Sequence, residues 1–255
     1  MLAEVIEFEL LSLELQASNA PRPGHPVALR LLINTIMRLA LLCLAVVSIA
    51  SQTLVEGSEE HSSSGAAVVR EMNLARQNPA QYAIYVEELR SGFNGSYYVL
   101  PGGTRVRTKE GTRALDEAVR FLRHAQPLPA LAFSSGISRA AADHCADQSS
   151  GRMGHDGSDR STPGSRISRY GEWGGGWAEN IAYAKTNARD IVLALIIDDG
   201  QSARKHRKNI FNPKFNVAGA AIGPHARLHA VCSIDFAGSY AERGHSSDAA
   251  LVARN

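Results

Sequence analysis

The sequence predicts an α+β domain whose helices and strands form separate layers. Apolar residues first recur at helical spacing from Ala66 onwards, on a face made by Val68, Val69, Met72 and Ala75. Two later segments, 216–222 and 229–236, are predicted strands, and apolar residues alternate with more polar ones in the second. The helices and strands do not alternate as in a βαβ protein, and no repeat or linker divides residues 66–240. One layered domain therefore accounts for this region.

Capping and turn residues delimit the first helices. The first helix ends at Asn78, and Pro79 begins a second helix that ends near Gly92. Residues 92–112 leave the helical layer, and we expect a short hairpin there. A third helix follows on the apolar repeat Ala114, Leu115, Ala118, Phe121 and Leu122.

The central helices and the strand between them follow from the same signals. Ser134 or Ser135 caps a helix that runs to about Ser149, with an inward stripe of Ile137, Ala141, Cys145 and Gln148. Residues 179–183 form a short predicted strand. Asn187 caps a further helix, with Asp190 as its partner at the third position, and Gly200 stops it. The body of this helix is apolar on every side, so we expect it to be buried.

Composition excludes several classes of protein. The 255 residues are 44% hydrophobic and 20% charged, which is typical of a globular protein. A net charge of +2 argues against nucleic acid as the main partner, because nucleic-acid-binding proteins concentrate cations on one face. Three cysteines are too few for a disulfide-rich scaffold. Cys145 and Cys232 both lie on predicted inward faces, where they either pair or remain two separate buried thiols.

The N-terminal region carries an export signal. Met37-Arg38 precedes an apolar run that ends at Ile49, and small residues stand before a cleavage site after Ala50. The run is shorter than the about 20 apolar residues of a spanning helix, so a cleaved signal peptide is favoured over an uncleaved anchor. We therefore expect a secreted or periplasmic protein without a membrane span after cleavage.

These observations divide the chain into five parts. Residues 1–36 are an acidic extension ahead of the signal, which indicates that the natural start is Met37. The signal peptide occupies 37–50, and a flexible leader rich in Ser and Glu occupies 51–65. The folded domain is expected over 66–240 and a disordered tail over 241–255.

Two aspartates stand where a helix dipole disfavours negative charge. Asp198 and Asp199 follow the apolar helix and precede the cationic run 204–208, which contains His206. They form either a surface charge network with these cations or a cleft in which one carboxylate meets His206. The helix before them is expected to be buried, so its end should face the interior.

His155 and Glu179 complete the set of candidate site residues. His155 follows Gly154 in a loop rich in Ser, Asp and Gly, where an ordinary surface histidine is the alternative. Glu179 lies between a tryptophan-rich segment and an apolar strand, where a carboxyl group needs a polar partner. Two imidazoles and two carboxylates can hold a divalent metal or act as general acid and base in hydrolysis. Their spacing matches no short metal-binding motif.

Four segments of the chain together resemble the CAP (SCP) superfamily of cysteine-rich secretory proteins, antigen 5 and plant pathogenesis-related proteins. They are Asn73-x-x-Arg76, Gly154-His155, Ala178-Glu179-Asn180-Ile181 and His206-Arg207-Lys208-Asn209-Ile210. The likeness covers about Ala66 to Tyr240 and is closest to bacterial members. It implies an α-β-α sandwich with a small, mainly antiparallel sheet, secretion, and a large cleft lined by two histidines and two acids.

The resemblance assigns roles to individual residues. The candidate catalytic or binding residues are His155, Glu179, Asp198 and His206, with Asp199 as the alternative to Asp198. No cofactor is required, but His155 and His206 are the expected ligands if the cleft holds zinc or another divalent metal.

Three positions depart from the family pattern. Ala178 replaces the glycine before the Glu-Asn pair, and an Asp replaces Glu at the fourth cleft position. Lys205 replaces the glycine before the second histidine, where its ammonium group would disfavour imidazolium at His206 and repel a metal cation.

The segment rich in Gly and Trp has two interpretations. Its glycines, Gly157, Gly164, Gly171 and Gly174 to Gly176, shape the loops of a cleft or form ordinary surface turns. Trp173 and Trp177 line an apolar groove or pack in the core, and the core is favoured because large aromatic side chains mostly serve packing. The same holds for Tyr170 and Tyr183.

Three functions compete. Binding of a small molecule, lipid, peptide or partner without turnover is favoured, because no nucleophile triad is evident in the sequence. A peptidase-like hydrolase, with or without a metal, is the alternative, and an envelope protein with a vestigial cleft is the third. The cationic run 205–208 favours an anionic ligand over a metal-dependent hydrolase.

Overall fold

The structure, a computed structural model, describes residues 64–100 and 103–243. All of these residues belong to the unit Glu59–Asn255. The predicted extension, the signal peptide and leader residues 51–63 lie outside the described residues, as do tail residues 244–255. No helix in the described part of the chain is long and apolar enough to cross a membrane.

Seven α-helices and seven strands make up the described residues. The helices are α1 (residues 64–77), α2 (Pro79–Glu88), α3 (Thr112–His124), α4 (Ser135–Gln148), α5 (Pro163–Ile167), α6 (Ala188–Ile197) and α7 (Lys205–Ile210). A 3₁₀ turn, Leu89–Gly92, extends α2. The strands are β1 (Phe93–Asn94), β2 (Tyr97–Val99), β3 (Arg105–Arg107), β4 (Ala132–Phe133), β5 (Gly171–Tyr183), β6 (Val217–His225) and β7 (His229–Glu242).

The main sheet lies between two layers of helices. Its strand order is β4-β6-β7-β5, in which β4 is parallel to β6 and the other pairs are antiparallel. The larger apolar core joins one sheet face to α1, α2, α3 and α6, while α4 and α5 cover the other face. The predicted α-β-α sandwich with a mainly antiparallel sheet is therefore confirmed. A second antiparallel sheet, β1-β2-β3, adds a third strand to the hairpin expected within 92–112.

Several element boundaries differ from the prediction. Strand β5 begins at Gly171 and not at Glu179, so Gly171 and Gly174 to Gly176 belong to a bulged strand, neither to cleft loops nor to surface turns. Helix α6 ends in the left-handed residue Asp198, two residues before Gly200. Strand β7 enters the predicted tail, because the Glu242 carboxylate accepts hydrogen bonds from the first turn of α4, where a helix dipole favours an anion.

The side chains of Trp173 and Trp177 contradict the expected core packing. They are 37% and 38% exposed, respectively. Tyr170 and Tyr183 are partly buried, and each hydroxyl donates to a polar side chain, Asp143 and Gln148, respectively. Aromatic residues of this region therefore lie at the border of the core.

Cys145 and Cys232 are free thiols on opposite faces of the main sheet. Cys145 packs from α4 against Val231, whereas Cys232 belongs to the larger core on the other face. Val231 and Cys232 are neighbours in β7, so their side chains point in opposite directions. The sheet backbone therefore separates the sulfur atoms, and of the two alternatives the structure contains separate thiols. Burial raises the pKa of the Cys145 thiol to about 12.

We predict that neither thiol reacts with iodoacetamide in the folded protein near neutral pH, because both are buried and protonated. In denaturant without a reductant, both should become alkylated. Peptide mapping of Cys145 and Cys232 measures this directly. Labelling that needs a reductant would contradict the arrangement on opposite faces.

Arg76 ties α1 to two distant segments of the chain. Its buried guanidinium donates to the backbone carbonyls of Pro129, Ile210, Asn212 and Phe215 at 3.0, 2.6, 3.2 and 3.3 Å. Asn73, one turn earlier, bonds both backbone groups of Leu131. The Asn73-x-x-Arg76 segment therefore fixes the entry to β4 and the exit from α7.

We predict that Arg76→Lys lowers the free energy of unfolding by about 3 kcal/mol or more, because an ammonium group cannot reproduce a fork of donors to four carbonyls. Urea denaturation measures the loss. Arg70→Lys, on the exposed side of α1, is the matched control and should stay within about 0.5 kcal/mol. Equal stability of the two variants would refute the role of Arg76.

Candidate functional site

Glu179 is a buried acid within the edge strand β5. Its carboxylate, 1% exposed, accepts hydrogen bonds from His155 Nδ1 at 2.7 Å, Arg166 Nη2 at 2.8 Å and Ser233 Oγ at 2.9 Å. A buried charge needs such partners, because transfer from water without them is costly. The loop before α5, α5 itself and β7 therefore converge on this carboxylate.

The imidazole of His155 is exposed to solvent on one side and hydrogen-bonded to Glu179 on the other. Its side chain is 54% exposed. Since Nδ1 donates its proton to a carboxylate, Nε2 is the nitrogen left for another partner. The hydrogen bond to Glu179 raises the pKa of His155 and outweighs partial burial, which acts in the opposite direction.

Gly154 places His155 at the site. Its φ of 112° is a conformation that side chains with a Cβ rarely adopt. Its N–H donates to Tyr183 Oη at 3.1 Å, and its carbonyl lies 2.9 Å from His144 Nε2 and 2.6 Å from Gln148 Nε2. Three side chains from α4 and β5 therefore hold the residue that precedes the exposed imidazole.

Asp198 and His206 form the second histidine–acid pair. Asp198 Oδ1 lies 2.7 Å from His206 Nδ1, and Oδ2 accepts the His206 backbone N–H at 3.0 Å. The aspartate side chain is 1% exposed and the histidine side chain 22% exposed. Asp198 thus ends α6 with a left-handed backbone and joins it to the first turn of α7.

Asp199 serves a different part of the fold. Its carboxylate accepts the backbone N–H groups of Lys109 and Glu110 at 2.7 and 2.8 Å, in the loop before α3. Of the two aspartates, Asp198 is therefore the one that contacts His206. Nothing in this geometry supports Asp199 as its substitute.

Neighbouring residues of β5 connect the two pairs. Glu179 and Asn180 point to opposite faces of the sheet. On its own face, Asn180 donates to the backbone carbonyl of His206 at 3.0 Å and accepts from Asn209 at 2.8 Å. Among the described residues, no hydrogen bond or ion pair joins one histidine–acid pair to the other. The structure therefore builds two separate pairs, which β5 contacts through Glu179 on one face and Asn180 on the other.

Two of the four cations in the run around His206 form ion pairs. Arg204 forms ion pairs with Glu110 and Glu117 at 2.7 and 2.6 Å, and Arg207 pairs with Glu117 at 2.9 Å. Both arginines are buried, whereas Lys205 and Lys208 are exposed. Of the run 205–208 that was expected to favour an anionic ligand, Arg207 is therefore neutralised, and the two exposed lysines remain. The paired acids, Glu117 of α3 and Glu110 just before it, are about 90 residues away in sequence.

Asp235 faces Glu179 directly across the β5–β7 ladder. It is fully buried, and neither carboxyl oxygen has a hydrogen-bond partner among the described residues. Burial, followed by the charge of Glu179, raises the pKa of Asp235 well above its usual value. We therefore expect a neutral acid behind Glu179, which spares the site a second buried negative charge.

Sequence reasoning missed Asp235 and four further residues that support the site: His144, Gln148, Arg166 and Ser233. One signal was available. Gln148 lies on the inward stripe of α4, and His144 stands one turn before it, so a polar pair enters the interior. Arg166 follows no pattern in the sequence that indicates burial.

The donor set does not complete a catalytic zinc site. Catalytic zinc takes three protein ligands, but no group of three or more His, Cys, Asp or Glu side chains in the described part of the chain is placed to hold a metal. The Glu179 carboxylate is bonded to three donors. His155 and His206 each have Nδ1 held by a carboxylate, as metal-bound histidines often do, yet they form separate pairs.

The part of the chain that contains both histidine–acid pairs is similar to a known protein family. Residues 117–236 match the family described as the cysteine-rich secretory protein family, or CAP. The similarity to the CAP family thus covers just under half of the chain. The matched residues include all four residues of the two histidine–acid pairs. A search of curated proteins gave no match.

Three solved structures of bacterial proteins are weakly similar to this chain. An extracellular protein with an SCP domain from Bacillus anthracis is 22% identical, with a TM-score of 0.34 over 47% of this chain and 37% of that one. A cysteine-rich secretory protein from Staphylococcus aureus is 16% identical, with a TM-score of 0.31 over 54% and 42%. An outer surface protein from Borrelia burgdorferi is 16% identical, with a TM-score of 0.36 over 43% and 78%. The chain thus spans less than half of the first two proteins.

We predict that Glu179→Gln lowers the pKa of His155, because the main cause of its elevation is the hydrogen bond to the carboxylate. The wild-type ring should therefore remain protonated to a higher pH than in the variant. An NMR titration of the ring resonances measures the shift, with His155→Ala to assign the signal. Glu172→Gln, an exposed position in the same strand, should leave the titration unchanged. The same pKa in both glutamine variants would contradict the assignment.

Proposed function

We propose that this protein is an exported CAP-domain protein that binds a small molecule, lipid or peptide at its two histidine–acid pairs without turnover. The observation that supports binding is the same in both pairs. A buried carboxylate holds Nδ1 of each imidazole, and Nε2 has no partner among the described residues. Each ring is thus fixed from behind and offers one nitrogen to a ligand.

The surroundings of the two rings favour binding over covalent hydrolysis. Ser233 Oγ donates to Glu179 and is buried, so it is not activated by an imidazole. Cys145 and Cys232 are buried and have raised pKa values. A nucleophile must also reach the substrate, and all three side chains are buried.

A hydrolase is the second candidate, and the carboxylate–histidine geometry is the observation that favours it. The same arrangement orients an imidazole as a general base or as a metal ligand. In this alternative Glu179 and Asp198 fix the rings, while Nε2 of each ring accepts a proton or holds a divalent ion. A metal would need further ligands from solvent or substrate, because no three candidate ligand side chains in the described part of the chain are grouped to hold one.

The proposal includes export and domain boundaries. The signal at 37–50 delivers the protein, and cleavage after Ala50 leaves residues 51–65 ahead of a CAP domain over 66–240. Helix α1 already includes residues 64 and 65, so the ordered part begins slightly earlier than this boundary. N-terminal sequencing of the exported protein tests the cleavage site.

Ligand pools test binding against turnover. The purified protein is mixed separately with fatty acids, peptides and neutral oligosaccharides, and the ring resonances of His155 and His206 are recorded. We expect one pool to shift both rings, and mass spectrometry to recover that pool unchanged. If no pool shifts either ring, the binding proposal is rejected.

Two results would support the hydrolase instead. One is cleavage of a pool that Glu179→Gln abolishes and the control Glu172→Gln retains. The other is stoichiometric zinc that both His155→Ala and His206→Ala lose, which metal analysis of the purified variants detects.

A further inference from the structure

The two tryptophans of the chain form an exposed aromatic corner. Trp173 and Trp177 are the only tryptophans in the sequence, and both are more than one third exposed. Their ring centroids lie 6.4 Å apart, with an angle of 80° between the planes. The two rings therefore meet edge to face, nearly at a right angle. We call this pair the tryptophan corner.

A β-bulge brings the two rings together. Residues four apart in a regular strand are separated by about 13 Å. In β5 the register shifts between Gly174 and Trp177, and Gly175 and Gly176 have φ values of 70° and 91°. Side chains with a Cβ rarely adopt these values, which accounts for the glycines. The glycine run thus shapes the tryptophan corner.

The two indole N–H groups differ in their bonding. Trp173 Nε1 donates to Gly164 O at 3.2 Å and to Ser168 Oγ at 3.0 Å, which fixes its ring on α5. Trp177 packs against Gly164, where an added Cβ would lie 2.4 Å from Nε1. Its N–H has no acceptor among the described residues. The corner therefore offers aromatic faces and one free donor.

The exposed imidazole of His155 adjoins this corner. Trp177 and Glu179 are two residues apart in β5, so their side chains leave the same face of the strand about 7 Å apart. Glu179 holds His155, while Arg166 of α5 bonds both Glu179 and the His155 carbonyl. The free acceptor of the neutral imidazole and the free donor of Trp177 are thus both held against α5, on one face of β5.

We infer that the tryptophan corner and His155 bind a neutral glycan, through one pyranose ring stacked on the indoles. A pyranose has an apolar face that covers an aromatic ring. Its hydroxyl groups accept from Trp177 Nε1–H and donate to His155 Nε2, since a hydroxyl does both. This inference names the ligand class of the proposed binding function and rests on that function for the role of His155.

Other ligand classes fit these groups less well. An aliphatic chain would cover the rings but leave the indole N–H and the imidazole nitrogen without partners, which costs affinity. An anion finds no free cation on α5, because Arg166 already donates to Glu179, His155 O and Ser161 O. A neutral, hydroxylated ring satisfies the apolar and the polar groups together.

Intrinsic fluorescence tests the inference, because every tryptophan signal of the protein comes from this corner. The full chain is titrated at pH 8 with cellohexaose, chitohexaose and maltohexaose. We expect a saturable change in emission with at least one of them. By calorimetry, Trp177→Ala should weaken that binding at least about tenfold through the joint loss of stacking and a hydrogen bond. Trp177→Phe, which keeps a ring but not the N–H, should fall between the two.

Tyr97→Ala is the matched control, because Tyr97 is as exposed as the tryptophans but lies in the small sheet. It should bind like wild type, and circular dichroism confirms that each variant is folded. Absence of saturable binding by all three oligosaccharides, or unchanged binding in Trp177→Ala, would overturn the inference.

The same data separate this inference from the proposed function. If peptides or fatty acids shift the histidine rings and no glycan binds, the glycan inference fails while the binding function stands. If a glycan binds through the tryptophans and His155→Ala binds it as tightly as the wild type, the inferred contact with His155 is overturned.

Discussion

The buried carboxylate of Glu179 is the group on which the candidate site depends. Arg166, Ser233 and His155 reach it from three segments, so this one side chain fixes α5, β7 and the exposed loop relative to one another. The ion pair between Arg166 and Glu179 is buried, so removing either side chain would leave the other as an unpaired buried charge, which is strongly destabilising. Asp235, directly opposite, fits the same constraint because its raised pKa keeps a second charge out of the site.

Successive side chains of β5 point to opposite faces of the sheet, so the functional residues of this strand lie on both faces. Trp177 and Glu179 leave one face towards α5, and Asn180 leaves the other face towards α7. Because β5 is the edge of the sheet, loops from both faces reach it without crossing another strand. The bulge at Gly175 and Gly176 breaks this alternation once, where it turns two aromatic rings towards each other.

Local patterns in the sequence predicted the five longer helices but not the short α5 and α7, because spacing and capping chemistry are properties of a few neighbouring residues. Ser134 and Asn187 cap α4 and α6 as expected. Burial of Trp173 was predicted wrongly, since exposure of an edge strand depends on where α5 packs. The ion pairs of Arg204 and Arg207 with Glu117 escaped prediction for a similar reason: contacts across about 90 residues leave no local pattern. The resemblance supplied the four site residues, but not their division into two pairs.

That division has a physical consequence for binding. His155 depends on Glu179 and Arg166, whereas His206 depends on Asp198 and, through the exit of α7, on Arg76. Substitutions in separate networks that share no partner have additive effects on stability. Coupling between the two imidazoles therefore requires a molecule that contacts both. Such a ligand meets rings that are already oriented, because a carboxylate holds Nδ1 of each ring, so little conformational entropy is lost when it binds.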